Sequence, residues 1–149
     1  MNTSEIKVVL NKEIEAPVAK VFQAWTRPEL IMKWFAPGSV MTVPSAEVSL
    51  KAGGEYLIHM YNPETKEDHI VGGCYKEVIQ NEKLVFSWKW KEGTDTTWVT
   101  IDLQENGPGK TMLTLTHAGF SQQEFAQKHT MGWNGCLANL EGMFSSVSA

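Results

Sequence analysis

Only two cysteines, Cys74 and Cys136, stand among 149 residues. They are far apart and lack C-x-x-C spacing, so no disulfide framework and no thiol-redox motif is expected. A single bridge between them is the less favoured reading, and Cys136 reads as inert core. Basic residues do not gather: 13 Lys and Arg are mixed with 17 Asp and Glu, for a formal net charge of −4. Without a basic stripe to follow a phosphate backbone, nucleic acid is not an expected partner. No apolar run approaches the ~20 residues of a membrane span, so no membrane partner is expected either. The opening stretch MNTSEIKVVLNKEIEA alternates polar and apolar residues instead of showing a basic segment followed by an apolar core. That is not a secretory signal, and the expected location is the cytoplasm, with reduced thiols. The four histidines make no H-x-H or H-E-x-x-H pattern, and no cluster has metal-ligand spacing. No glycine-rich run links a strand to a helix as a phosphate cradle requires, and there is no G-x-S-x-G elbow. No metal or other cofactor is expected.

Tryptophan is what the chain has in plenty, with six. An indole is costly to place unless its ring is buried and its N–H satisfied, so large apolar surfaces are expected, as a filled core or a lined pocket. A chain of this length makes one domain over 1–149 and buries roughly 68–70 % of its unfolded surface.

Residues 117–147 carry the one long helix. Ser121 and Glu124 have capping-box spacing, and Phe120 and Phe125 are placed for a hydrophobic staple. Trp133, Leu137, Leu140 and Phe144 then recur on one helical face, with Cys136, Met143 and Val147 beside them. Such a stripe needs a surface to cover, and the remaining chain supplies strands. Alternation predicts them over 5–15, 46–50, 55–61, 69–79, 83–91, 97–105 and 110–117, with turns at 51–54, 62–67, 80–82 and 106–109. Gly72 and Gly73 inside a strand point to a bulge or a close backbone approach. Two short helices follow the first strand: 17–26, opened by Pro17, and 28–36, opened by Pro28 and closed by Pro37-Gly38.

The fold class is therefore α+β, an antiparallel sheet of about seven strands with one wet face and one face buried under the long helix. One helix cannot fill a strongly curved seven-stranded sheet. The unfilled space is expected to be a cavity, the default site for a small molecule. By alternation its walls are Tyr56, Ile58 and Met60; Tyr75; Phe86, Trp88 and Trp90; Ile101; Leu115 and His117; and, from the helix, Trp133 and Leu137. Each aromatic has a plain reading as core filling beside the reading as pocket wall. Gly132 is read as letting the backbone come close where Trp133 enters. His117, inward at a strand end, suits a general acid or base, or a structural hydrogen bond to a carbonyl or tyrosine. Outward Trp98, beside Thr96, Thr97 and Thr100, marks a candidate dimer face, and monomer and homodimer both stay open.

Several local sequences resemble one family. Ile14-Glu15-Ala16-Pro17 with Val21-Phe22 and Ala24-Trp25-Thr26 looks like the opening of the START-like (SRPBCC) superfamily. Trp34-Phe35-Ala36-Pro37-Gly38, Gly53-Gly54-Glu55-Tyr56, Gly73-Cys74-Tyr75, Leu84-Val85-Phe86-Ser87-Trp88, Leu113-Thr114-Leu115-Thr116-His117 and Gly132-Trp133 follow in order. Together they are similar to the domain family named after the activator of the heat-shock-protein-90 ATPase. That family often carries Asp and Arg ahead of its Gly-Gly pair, where this chain has Ser49 and Lys51. The resemblance implies a helix-grip fold, a curved sheet wrapped around the C-terminal helix, and a small hydrophobic or aromatic molecule as ligand. It also implies two alternatives. One is a chaperone-associated stress-response protein with a chaperone as partner. The other is a cyclase- or hydrolase-like enzyme, in which His117, with Tyr56 or Tyr75, would converge on an open pocket.

Overall fold

The computed structural model describes residues 6–36, 41–91, 93 and 96–145. Strand β1 (Ile6–Ile14) is followed by helices α1 (Val18–Thr26) and α2 (Pro28–Trp34). Six strands come next: β2 (Thr42–Val48), β3 (Glu55–Asn62), β4 (Glu67–Ile79), β5 (Lys83–Trp90), β6 (Thr97–Glu105) and β7 (Thr111–Phe120). Helix α3 (Gln123–Ser145) closes the order. The sheet runs β1-β7-β6-β5-β4-β3-β2, antiparallel at every step. This is the helix-grip α+β fold that the alternation and the resemblance foretold. Strands β2 to β7 are a plain meander, and β1 pairs with the last of them. The pair α1–α2 carries the chain between the two edges of the sheet.

Two prolines shape that connection. Pro17 is the N-cap of α1, and its carbonyl accepts from the Lys20 and Val21 amides at 3.0 and 3.1 Å. Pro28 occupies the first turn of α2. The residue before a proline is driven out of the helical region, and Arg27 duly lies extended at φ −95°, ψ 122°, ending α1 at Thr26. Val21, Phe22 and Trp25 of α1 and Ile31 and Trp34 of α2 are buried in the main core. The Trp34 indole donates to the Ala24 carbonyl at 2.9 Å, tying the two helices together.

Element boundaries differ from the sequence reading where a local signal competes with tertiary pairing. Strand β2 begins at Thr42, well before residue 46, and runs through Pro44. A proline costs a ladder bond in a central strand, but β2 is an edge, and Pro44 falls where its register with β3 shifts, between Thr42 and Ser45. Strand β7 continues past His117 to Phe120, through Gly119 at φ +94°. Helix α2 ends at Trp34, and Pro37 and Gly38 lie outside the described residues, as does Val147. Helix α3 starts at Gln123, with the Gln122 carbonyl accepting from Phe125 and Ala126. The start is thus one residue later than a Ser121 cap would set. The staple is not formed as a buried pair. Phe120 is buried against Val8 and Ala126, while Phe125 is 37 % exposed.

The glycines inside β4 mark a close approach. A Cβ on Gly73 would fall inside the envelope of the Ser87 carbonyl and hydroxyl oxygens on β5. Those atoms are engaged: Ser87 O accepts from the Tyr56 hydroxyl at 2.6 Å, and Ser87 Oγ accepts from the Cys74 amide at 2.9 Å. Burial keeps the Tyr56 phenol protonated, raising its pKa. Gly73→Ala is therefore expected to destabilise by about 1–3 kcal/mol in urea unfolding, the usual cost of overpacking. An unchanged midpoint would show that β4 and β5 separate freely here. The ladder bulge itself lies further on, where the register shifts between Tyr75 and Glu77.

Cys74 is exposed and Cys136 buried, and both thiols are free. No helix among the described residues is long and apolar enough to cross a membrane. Trp98 points outward, 42 % exposed, with the Lys76 ammonium 5.7 Å from its ring centroid.

Candidate functional site

The first half of α3 does not lie flush on the sheet. Between it, the end of α2 and the inward face of β3–β5 lies a pocket of about 410 Å³, within the usual range for small-molecule sites. Alternation aims the walls. On β5, Leu84, Phe86, Trp88 and Trp90 share the inward side, and the last two reach the pocket. On β3, Met60 follows Tyr56 and Ile58 on the inward side and reaches it too. Helix α3 contributes Lys128, Gly132 and Cys136 at i, i+4, i+8, and His129 and Trp133 one step round, which is a single helical face. Phe35 and Met41 close one end, and His69 opens β4's contribution.

The walls are mostly rings. Trp88 lies 5.0 Å from Trp133 and 5.4 Å from Trp90, centroid to centroid, and Phe35 lies 5.6 Å from Trp133. Polar groups are confined to the rim and to one side. Lys128 is exposed and pairs with Glu124 at 3.6 Å, and His69 lies 3.8 Å from Glu67.

Gly132 does the opposite of what the sequence suggested. A Cβ built there meets nothing within 4 Å. The glycine does not bring two backbones together; it leaves the pocket open at mid-helix. Gly132→Ala is accordingly expected to raise stability by about 1 kcal/mol, the ordinary gain of alanine over glycine inside a helix, read as a higher thermal midpoint.

Two histidines stand against the tryptophans, His117 behind them and His129 in the pocket wall, each accepting from one indole. Trp133 Nε1–H donates to His117 Nδ1 at 2.9 Å. The ring proton therefore sits on Nε2, which donates to Thr97 Oγ1 at 2.6 Å, and the Thr97 hydroxyl donates on to the Trp88 carbonyl at 3.3 Å. His117 is fully buried, and both its nitrogens are used. Burial, reinforced by His129 nearby, pushes its pKa down to about 3. His129 donates from Nδ1 to the Phe125 carbonyl at 2.8 Å and accepts at Nε2 from Trp90 Nε1–H at 3.0 Å. Burial lowers its pKa as well, against the opposing pull of the Phe125 carbonyl. The two imidazoles are 4.9 Å apart, with Phe120 packed on both.

Of the residues expected to line a cavity, Met60, Trp88, Trp90 and Trp133 surround this pocket. Tyr56, Ile58, Tyr75 and Phe86 instead border a separate narrow void of about 10 Å³, with Trp25, Ile31, Phe35 and Val48. Ile101, Leu115 and Leu137 are fully buried core. His117 stands behind Trp88 and Trp133, so His117, Tyr56 and Tyr75 do not converge on the open pocket. Sequence reasoning passed over Phe35, Met41, His69, Lys128, His129 and Gly132 as walls. The helix spacing 128/132/136 and 129/133 would have found those on α3, had the stripe been traced back one turn before Trp133. Cys136 lines the pocket but is buried, and burial pushes its thiol up to about 12, far from a nucleophile's range. Among the described residues no three His, Cys, Asp or Glu side chains cluster to hold a metal ion.

The sequence model of the family described as Activator of Hsp90 ATPase homolog 1-like protein matches residues 15–145. Solved structures with the same fold include a protein from Nitrosomonas europaea, 26 % identical, which superposes with a TM-score of 0.79 over 96 % of both chains. The AHSA1 protein from Silicibacter pomeroyi, 20 % identical, gives 0.82 over 92 % of this chain and 96 % of that one. The AHSA1-like protein from Aeromonas hydrophila, 22 % identical, gives 0.77 over 95 % and 94 %. No curated protein matches.

Proposed function

The chain belongs to the Activator of Hsp90 ATPase homolog 1-like family, and on that premise we propose that it binds a small, flat, apolar molecule in the pocket between α3 and β3–β5. The observation that supports this is the pocket itself: about 410 Å³, walled by Phe35, Met60, Trp88, Trp90 and Trp133 and left open by Gly132. Indole faces offer wide apolar contact at little entropic cost, because their rings are already held by each other and by the histidines. The rim of His69 and Lys128 leaves one end of the ligand polar contacts and solvent. Binding, not turnover, is the reading favoured, because the one buried histidine beside the site has both nitrogens committed within the protein.

The test is direct. 2-Ethylnaphthalene titrated into the protein is expected to quench or shift tryptophan fluorescence saturably. Gly132→Phe places a ring in the space that the glycine leaves free, with helix propensity better than glycine's. It should fold normally and bind the probe at least tenfold more weakly, while Gly132→Ala binds as wild type does. Equal affinity in wild type and Gly132→Phe would place the binding elsewhere.

A further inference from the structure

The open pocket and the narrow void are successive stretches of one inward surface. Along β3, Met60 faces the pocket, while Ile58 and Tyr56 border the void. Along β5, Trp90 and Trp88 face the pocket and Phe86 borders the void. One step between inward residues is roughly 7 Å of strand, so these strands by themselves would carry a single trough. The trough is interrupted. Among the described residues, Phe35 alone borders both spaces.

The place of Phe35 in the fold explains the interruption. It ends α2: its amide donates to the Ile31 carbonyl at 3.0 Å, and its backbone leaves the helical region at ψ 64°. The ring is 3 % exposed and stands between two groups of aromatics. On the pocket side are Trp133 and Trp88, with centroids 5.6 and 6.0 Å away. On the void side is Trp25, at 6.1 Å. These contacts are ring against ring, so the partition rests on the volume of one close-packed side chain. The void beyond it, about 10 Å³, has no room for more than a water molecule. Building on the ligand reading above, we infer that Phe35 is the specificity-determining wall of this site. It stops the ligand at the level of Met60 and Trp88, and its size sets how long a molecule the site accepts. The wild-type ligand is compact. A smaller residue at position 35 joins the void to the pocket and admits an alkyl tail toward Tyr75 and Phe86.

The experiment compares 2-ethylnaphthalene with 2-butylnaphthalene, which differ by two methylenes. Wild type is expected to bind the two within about threefold, because the longer tail has only the solvent-exposed mouth to occupy. In Phe35→Ala the added methylenes enter the space that the ring vacates, and the butyl compound should bind roughly tenfold more tightly than the ethyl one. Phe35→Leu removes less volume and keeps the core apolar. It should show a preference between those of wild type and Phe35→Ala, and it carries the test if the alanine variant does not fold. A second measurement needs no variant: nuclear Overhauser contacts from bound 2-ethylnaphthalene in wild type should reach the Phe35 ring and not the Phe86 ring. Contacts to Phe86 in wild type, or one butyl-to-ethyl ratio shared by wild type and every folded variant, overturn the inference and leave the apolar pocket standing. If neither molecule binds wild type, the pocket reading fails and the inference with it.

Discussion

Lowering the pH from 6.5 to 5 is expected to cost the folded protein about 2 kcal/mol through His117 alone. The folded pKa is about 3, below the ordinary 6.5 of a free histidine. Above pH 6.5 the ring is neutral in both folded and unfolded chains, and its contribution is whole. As the pH falls, the unfolded chain takes up the proton and the folded one does not. Stability therefore drops by about 1.4 kcal/mol per unit down to the folded value near 3. The structural cause is specific. A second ring proton would have to sit on Nδ1, where the Trp133 indole already presents a hydrogen. On the other side Nε2 is held by Thr97, and the ring packs against Trp88, Phe120 and His129 with no carboxylate among them. His129 is shifted the same way and steepens the slope. Urea unfolding at pH 7.5, 6.5, 5.8 and 5.0 measures it, above the range where carboxylates titrate. His117→Gln, which can accept from Trp133 and donate to Thr97 without titrating, should flatten the profile. A slope unchanged in that variant would mean that acid acts elsewhere.

Trp133→Ala is expected to cost about 3–5 kcal/mol, the range for deleting a large buried aromatic. The ring lies 3 % exposed among Trp25, Phe35, Trp88 and His117. Removing it opens the core into the pocket and leaves His117 Nδ1 without its donor. Trp133→Phe separates the two losses. It keeps most of the ring burial and deletes only the N–H, so about 1–3 kcal/mol should be lost, the cost of an unmatched buried acceptor. The two predictions are coupled. Without an indole hydrogen facing Nδ1, that nitrogen can take a proton more readily, so Trp133→Phe should also shallow the acid slope. Additive behaviour of Trp133→Phe and His117→Leu, which removes the acceptor, in a double-mutant cycle would argue against the hydrogen bond joining Trp133 and His117.

Most of the architecture was readable because a period of two is hard to disguise. Leu84-Val85-Phe86-Ser87-Trp88 and Val99-Thr100-Ile101-Asp102-Leu103 declare their inward sides, and the structure buries Leu84, Phe86, Trp88, Val99, Ile101 and Leu103. Alternation fixes a face, though, not a depth. Tyr56, Phe86 and Trp88 all point inward, yet only Trp88 reaches the open pocket, because α2 and Phe35 fill the space over the others. Which inward residue meets protein and which meets space depends on where one helix crosses a curved sheet. Gly132 shows the same limit, since a glycine beside a tryptophan is compatible with a tight contact and with a gap. His129 was hidden for another reason. Its role depends on Trp90, 39 residues away, and no local pattern records that pairing.

The sheet also sets an order in time. Its first strand has no neighbour among the elements that follow it closely. Ile14 pairs with Thr111 and Ile6 with Phe120, across about a hundred residues of chain. The meander from β2 to β7 can zip by short turns, but β1 must wait for the last strand, tethered through α1 and α2 to the opposite edge. Closing so long a loop is entropically slow. Until it closes, β7 is an unguarded edge, and His117, whose strand neighbour on that side is Val8, lacks half of its shelter. The burial that tunes the site is therefore completed by a strand that precedes the rest of the sheet in the chain and docks late. A refolding phase that slows when β1 is weakened, with early strand content unchanged, is what this arrangement should produce.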